Sequence, residues 1–443
     1  MRTRLAYTWE SLHSSFWFLP FVLSALAAIL ATATLLLDRR GIPANTTGVQ
    51  WVYGGEPEGA REMLSAIAAS MLGVAGTVFS ITIAVLSIAT SALGSRLLRN
   101  FMRDRTNQAV LGIFVAIFLY CLLVMRTIRD DEGDVFVPHL SVAVGVVLAV
   151  VGLVALIYFI HHISQSIRAE RAIADVAREL ERAIDRFFPP RTGKPAELDP
   201  EIDPAQVAGL FADSAPILAD RDGYVQAIDS GALLSVAVRR DVVVHLLPHP
   251  GAFVMEGEAL ARVHPRERVD DALSRSINQI VVRGYERTPT QDIEFAISQM
   301  VQIALRALSP SVNDPHTAIA CIDWLGAALG RAARREFPSA YRYDRRAKLR
   351  VVVQPVTYEK MVDRAFDQIR QAGLQHIEVG IRLLDVLANL LEYLDKPSRR
   401  EAVLRQALAV HRGILQTRLS DVDRQDVEAR MQRVSRAAHP DGS

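Results

Sequence analysis

Apolar positions are unevenly spread along this chain. Four nearly unbroken apolar runs, at roughly 16–37, 64–91, 109–125 and 138–160, fill its first third. Three reach the ~20 residues a helix needs to cross ~30 Å of hydrocarbon, and the third run is at the short end of the usable range. Beyond residue 160 the apolar residues recur with helical or alternating periods among many charges, which lipid does not tolerate. The pattern predicts an α-helical membrane protein: four transmembrane helices, then an α+β cytoplasmic domain holding a small β-module and a helical bundle. The expected divisions are a four-helix transmembrane domain (1–165), a juxtamembrane helix with a Pro-rich linker (166–204), a β-rich module (205–265), a mostly helical domain (266–435) and a disordered tail (436–443).

The first run has features of a signal peptide, with Arg2 and Arg4 ahead of it and Ala31-Thr32-Ala33 within it. It continues through Leu35-Leu36-Leu37 to Asp38, longer than an apolar signal region of about 7–15 residues, and is expected to remain as an anchor.

The soluble pattern breaks into recognisable pieces. Ile173, Val176, Leu180, Ile184 and Phe187 form a helical stripe that Pro189-Pro190 ends. Residues 224–228 and 241–247 read as strands, and 253–263 as two short strands around Glu256-Gly257. The latter resembles half of a lipoyl- or biotinyl-type barrel, yet no lysine occurs in that region, so a cofactor carrier is not expected. Residues 293–308 read as a helix capped by Thr290, followed by a Pro-bounded turn and a helix holding Cys321 and Trp324. A strand at 349–353, a helical stretch at 358–394 broken near Gly373, a helix at 399–419 and a final charged helix complete the chain.

Charge sets the topology. Arg96, Arg99, Arg103 and Arg105 follow the second run with only Asp104 opposing them, which marks that loop as cytoplasmic. Both termini then lie in the cytoplasm. The formal charge of +1 gives no bias toward nucleic acid. Two cysteines, Cys121 and Cys321, exclude a disulfide framework.

Three clusters carry candidate chemistry. Thr77, Ser80, Thr82 and Ser87 on the second run either line a polar path, as pore candidates, or belong to a small-residue packing face with Ala69, Gly73 and Gly76. Arg96, Arg99 and Arg103 either anchor the loop or bind lipid headgroups. Asn313, Asp314 and His316 either cap a helix or form a small-ligand site. Adjacent His161 and His162 point apart on a helix and do not chelate alone, so no metal site is expected. The interiors of the four runs hold no Asp, Glu, Lys or Arg, which argues against proton-coupled transport. No Walker A, dinucleotide-binding, nucleophile-elbow or His-Glu-x-x-His motif occurs, so neither a catalytic residue nor a cofactor is assigned.

The strings Val78-Phe79-Ser80-Ile81-Thr82, Leu97-Leu98-Arg99-Asn100-Phe101-Met102-Arg103-Asp104, Tyr158-Phe159-Ile160-His161-His162, Gly223-Tyr224-Val225-Gln226-Ala227-Ile228-Asp229 and Ala304-Leu305-Arg306-Ala307-Leu308-Ser309-Pro310 carry a further signal. On these the chain resembles the bacterial membrane-protein family DUF2254, whose function is uncharacterised. The resemblance implies a bacterial inner-membrane location and supplies no reaction. The first functional expectation is a homo-oligomeric channel in the lipid bilayer, with a cytoplasmic regulatory domain and an ion or small ligand. The alternative is a membrane-anchored sensor or scaffold whose soluble domain binds a small ligand or a protein.

Overall fold

The computed structural model describes residues 17–40, 56–93, 105–131, 134–166, 169–188, 207 and 209–439. It divides into two compact units, Met1–Arg171 and Ala172–Ser443.

The first unit contains α1 (Phe18–Arg39), α2 (Pro57–Leu93), α3 (Arg105–Met125) and α4 (His139–Ser166), with a short antiparallel hairpin, β1 (Arg129–Asp131) and β2 (Asp134–Phe136), between α3 and α4. Each of the four helices is long and apolar enough to cross a membrane. Small residues set the close packing. Ala27, Ala31 and Thr34 are buried along one stripe of α1. Gly112 on α3 admits the α1 backbone, because a Cβ there would lie 3.0 Å from Pro20 Cα. Large apolar side chains such as Phe21 and Ile29 on α1, and Val150 and Ile157 on α4, point outward. Such outward apolar faces suit lipid as the solvent.

Several polar groups inside this unit are tied down, although the buried Asn107 amide on α3 has no hydrogen-bond partner among the described residues. The Tyr120 hydroxyl donates to Ser141 O at 2.9 Å and lies 3.2 Å from Thr34 Oγ1. At the end of α1, the Asp38 carboxylate accepts from Leu140 N and Ser141 N, both at 3.0 Å, and from Ser141 Oγ at 2.6 Å. It thereby caps the otherwise unsatisfied N-terminus of α4 from a hundred residues away.

In the second unit α5 (Ala169–Phe187) buries Ile173, Leu180 and Ile184, and Phe188 follows it into the core. Two sheets come next. The larger is ordered β3 (Ala215–Leu218), β7 (Ala259–His264), β5 (Val243–Leu246), β10 (Leu349–Val352), β9 (Tyr341–Tyr343), antiparallel except where β10 runs parallel to β5. The smaller is ordered β6 (Phe253–Val254), β4 (Gly223–Ile228), β8 (Val281–Gly284). Helices α6 (Ser230–Arg240) and α7 (Asp271–Ile280) share a core with the sheets through Leu233, Ala237, Leu273 and Ile277. Fully burying a Leu or Ile side chain there is worth roughly 1.5–3 kcal/mol.

The sheet region differs from the sequence reading in four respects. The stretch 229–241, given no element from the sequence, holds a helix: Asp229 caps α6 by accepting from Ala232 N at 2.9 Å, and Asp241 closes it with a left-handed φ of 50°. The strand read from 241 therefore starts at Val243. The two strands of 253–263 do not pair with each other, since β6 joins β4 and β7 lies between β3 and β5. That removes the half-barrel. Finally, β9 and β10 from beyond residue 265 complete the larger sheet.

Six helices finish the unit: α8 (Ile293–Ala307), α9 (Pro315–Ala333), α10 (Tyr358–Gly373), α11 (Ile377–Leu391), α12 (Pro397–Leu415) and α13 (Asp421–Ala438). Phe366, Ile369, Leu384, Leu387, Val410 and Ile414 are buried among them. The α8 cap is Asp292, not Thr290, because Asp292 accepts from Phe295 N at 2.9 Å and is fixed by Arg287. The break in the 358–394 stretch falls at Gly373, as its sequence predicts. Helix α13 continues to Ala438, whose carbonyl accepts from Arg400 Nη2 at 2.8 Å.

Candidate functional site

Helices α9 and α11 border a cleft of about 850 Å³. On α9 its wall is one stripe at helical spacing, Asp323, Gly326, Ala327, Gly330 and Arg331, which the C-cap residue Arg334 extends. On α11 a matching stripe supplies Arg382, Val386, Asn389 and Leu390, and Tyr393 follows it. Arg335 completes the lining.

The glycines shape this space. A Cβ on Gly326 would meet Val386 Cγ1 at 2.4 Å, so the helices touch there through a bare backbone. A Cβ on Gly330 would be 3.8 Å from Leu390 and 4.0 Å from Tyr393, and the walls have parted by that point. The inward faces of both helices remain apolar, with Cys321, Leu325, Leu329, Leu383 and Leu387 buried. Burial pushes the Cys321 thiol up to about 12, which leaves it inert at neutral pH.

Electrostatically the lining is lopsided, with four guanidinium groups against the single carboxylate of Asp323. Arg382 Nε donates to Asp323 Oδ1 at 2.5 Å. Arg331 donates from Nε and Nη2 to the two oxygens of Asp185, at 2.9 and 2.5 Å, and Arg335 Nη2 donates to the same carboxylate. These hydrogen bonds, that of Arg331 first, hold the Asp185 carboxyl below its ordinary value. Arg334 stacks over the Tyr393 ring at 4.7 Å from its centroid. Guanidinium forks of this kind match carboxylate and phosphate oxygens, so the arrangement is suited to holding an anion.

The other sequence candidates fall elsewhere. Asp314 is the N-cap of α9: its Oδ1 accepts from Thr317 N at 3.1 Å and its Oδ2 from Thr317 Oγ1 at 2.6 Å. The hydroxyl bond chiefly lowers its carboxyl. Asn313 is exposed with a left-handed φ of 50°, and His316 is exposed beside it. This turn ends α8 and starts α9 roughly 13 Å along the axis from Asp323, at the far end from the arginines. On α2, Thr77, Ser80 and Ser87 are exposed, and Thr82, turned to the other side of the helix, is 5% exposed. Thr77 Oγ1 donates to its own Gly73 O at 3.0 Å. Arg96, Arg99 and Arg103 lie outside the described residues. Among the described residues, no three His, Cys, Asp or Glu side chains are grouped as metal ligands.

Sequence reasoning passed over the arginine stripe, although its signal was present. Asp-x-x-Gly-Ala-x-x-Gly-Arg-x-x-Arg at 323–334 places small and charged residues on one helical face, opposite the apolar one.

No solved structure matches the chain. An uncharacterized protein of Mycobacterium tuberculosis strain H37Rv is 33% identical over 378 residues, covering 84% of this chain and 71% of its own. An uncharacterized protein of Mycobacterium bovis matches with the same identity and coverage. A family model described as a predicted membrane protein matches residues 13–389. Four membrane-length helices and this match over most of the chain agree, and the protein belongs to the DUF2254 family of predicted membrane proteins.

Proposed function

We propose that the protein is a membrane-anchored receptor of the bacterial inner membrane, with both termini in the cytoplasm, whose soluble unit binds a small anionic ligand in the cleft between α9 and α11. One observation carries this reading: four arginines converge on one cleft whose own lining offers a single carboxylate. Unlike-charge pairing alone would be served by matched numbers, whereas an excess of forked cations recruits an anion from solution. The reading needs neither an aqueous path through the membrane nor a catalytic group, and it favours the sensor expectation over the channel.

The test is a thermal-shift series on the full-length protein in nanodiscs, using inorganic phosphate, pyrophosphate, acetate and chloride at constant ionic strength. Saturable stabilisation by at least one polyvalent anion, lost in Arg334→Gln/Arg382→Gln, supports the reading. Equal responses of both proteins to all four anions contradict it.

A homo-oligomeric channel is the second reading, favoured by α2. Among the described residues, no atom outside the helix's own nearby backbone lies within 4 Å of a Cβ added at Gly73 or Gly76, and exposed Thr77 and Ser80 share that face. A small, hydroxylated face left unused within one chain suits close packing against another copy. Mass photometry in nanodiscs decides this one: a closed oligomer that Gly76→Leu dissociates supports it, and a monomer ends it.

A further inference from the structure

Two of the cleft's arginines, Arg331 and Arg335, meet a carboxylate from outside the cleft lining. Asp185 belongs to the last turn of α5, the helix that follows the fourth apolar helix in the chain, and it is 146 residues from Arg331 in sequence. Resting on the reading of the cleft as an anion site, we propose that Asp185 is a built-in competitor: it occupies the seat on Arg331 and Arg335 that belongs to a phosphate or phosphomonoester group, and that ligand binds by displacing it.

The geometry of the seat argues for this role. Asp185 receives a two-pronged bond from Arg331 and a third donor from Arg335. This is how two guanidiniums hold an oxyanion. Yet the pair is not locked away, because the Asp185 side chain is 39% exposed and that of Arg331 43%. Ion pairs at such exposure are weak and exchange with solutes. The neighbouring cation is uncommitted: among the described residues Arg334 has the Tyr393 ring and no carboxylate as its partner.

The same geometry selects the ligand's chemistry. A monocarboxylate would only replace Asp185 with its equivalent. It would also compete against a tethered group whose effective concentration is on the order of millimolar. A terminal phosphate has three oxygens and up to two charges. It satisfies the donors of Arg331 and Arg335 and carries a further charge, and the same lining holds Arg334, which has no carboxylate partner among the described residues. Displacement leaves Ile184 and Phe188 as apolar anchors on either side of the released carboxylate, with Phe188 stacked on Phe337 at 4.3 Å. Ligand binding thus frees the Asp185 contacts with Arg331 and Arg335 at the end of α5, without unfolding it.

The experiment is titration calorimetry of pyrophosphate, inorganic phosphate and acetate into the full-length protein in nanodiscs, as wild type, Asp185→Asn and Asp185→Asn/Arg331→Gln. Removing the competitor is expected to tighten phosphate and pyrophosphate binding about fivefold, with acetate silent toward the wild type. Restoring the deficit through Arg331→Gln is expected to abolish the gain. Equal or weaker phosphate binding by a folded Asp185→Asn overturns the competitor role while leaving the cleft as an anion site. Silence of every anion toward every variant fails the cleft reading itself. Hydrogen–deuterium exchange on the wild type gives a second measurement that needs no variant. Phosphate is expected to raise exchange in 181–187 and lower it in 331–335, and no change in 181–187 at saturating phosphate overturns the proposal. Repeating the titration in nanodiscs with and without phosphatidic acid assigns the source. A soluble phosphate compound is indicated if lipid composition leaves the affinity unchanged, and a lipid headgroup if phosphatidic acid blocks the soluble probe.

Discussion

A methyl group on Gly326 has no room. Its Cβ would lie 2.4 Å from Val386 Cγ1, on a branched side chain that cannot swing away as a long one would. Gly326→Ala is therefore expected to cost about 1–3 kcal/mol by overpacking and to weaken anion binding by shifting α9 against α11. Val386→Ala in the same chain should restore much of the melting temperature. Failure of that rescue would show that the cost arises elsewhere. A second residue-scale expectation concerns acid. Asp241 is held down to about 2, chiefly by the hydrogen bond from Arg268 and then by that from Arg350. A carboxyl depressed from an unfolded value of about 3.9 adds stability above that value, and the gain is lost as pH falls through the folded one. Arg350 also donates to Asp344 Oδ2 at 2.8 Å, so it joins the end of α6 to the β9–β10 turn. Arg350→Ala should move acid unfolding, followed by circular dichroism, to higher pH, and an unchanged midpoint would refute the role given to this junction.

Among elements, the ones readable from sequence are those whose signal is local. The four apolar helices follow from length and composition, and α8, α10 and α11 from a 3–4 period. Helix α6 was hidden because its eleven residues sit between two strands and bury only Leu233, Val236 and Ala237, too few to establish a period. The larger sheet was hidden for another reason: β5 pairs with β10 about a hundred residues later, and nothing local encodes a parallel partner at that distance. The arginine stripe of α9 lay in plain view, but charges on a helix face usually mean only a solvated surface. It takes the facing stripe of α11 to turn that face into a site. One long-range contact is testable at this scale. Asp38→Ala removes the cap on α4 and should destabilise the first unit by about 1 kcal/mol in detergent melts, with Asp38→Asn retaining part of the loss. Equal stability of wild type and Asp38→Ala would mean that the α4 N-terminus finds other partners at no cost.

The whole molecule combines four helices long and apolar enough to cross a membrane with a mixed α/β unit whose conspicuous feature is a cationic cleft. The family is described as predicted membrane proteins and carries no named activity, so the proposed function rests on the cleft. An anion held by forked arginines on a partly solvated surface is bound electrostatically, so its affinity must fall as salt rises. The most direct measurement is calorimetric titration of pyrophosphate into the full-length protein in nanodiscs at about 50 and 300 mM salt, a range that shortens the screening length more than twofold. Wild type and the triple variant Arg331→Gln/Arg334→Gln/Arg382→Gln are titrated side by side. The expected result is one-site binding to the wild type that weakens severalfold at the higher salt and is absent from a folded triple variant. Binding of equal strength to both proteins, or none to either at low salt, would contradict it.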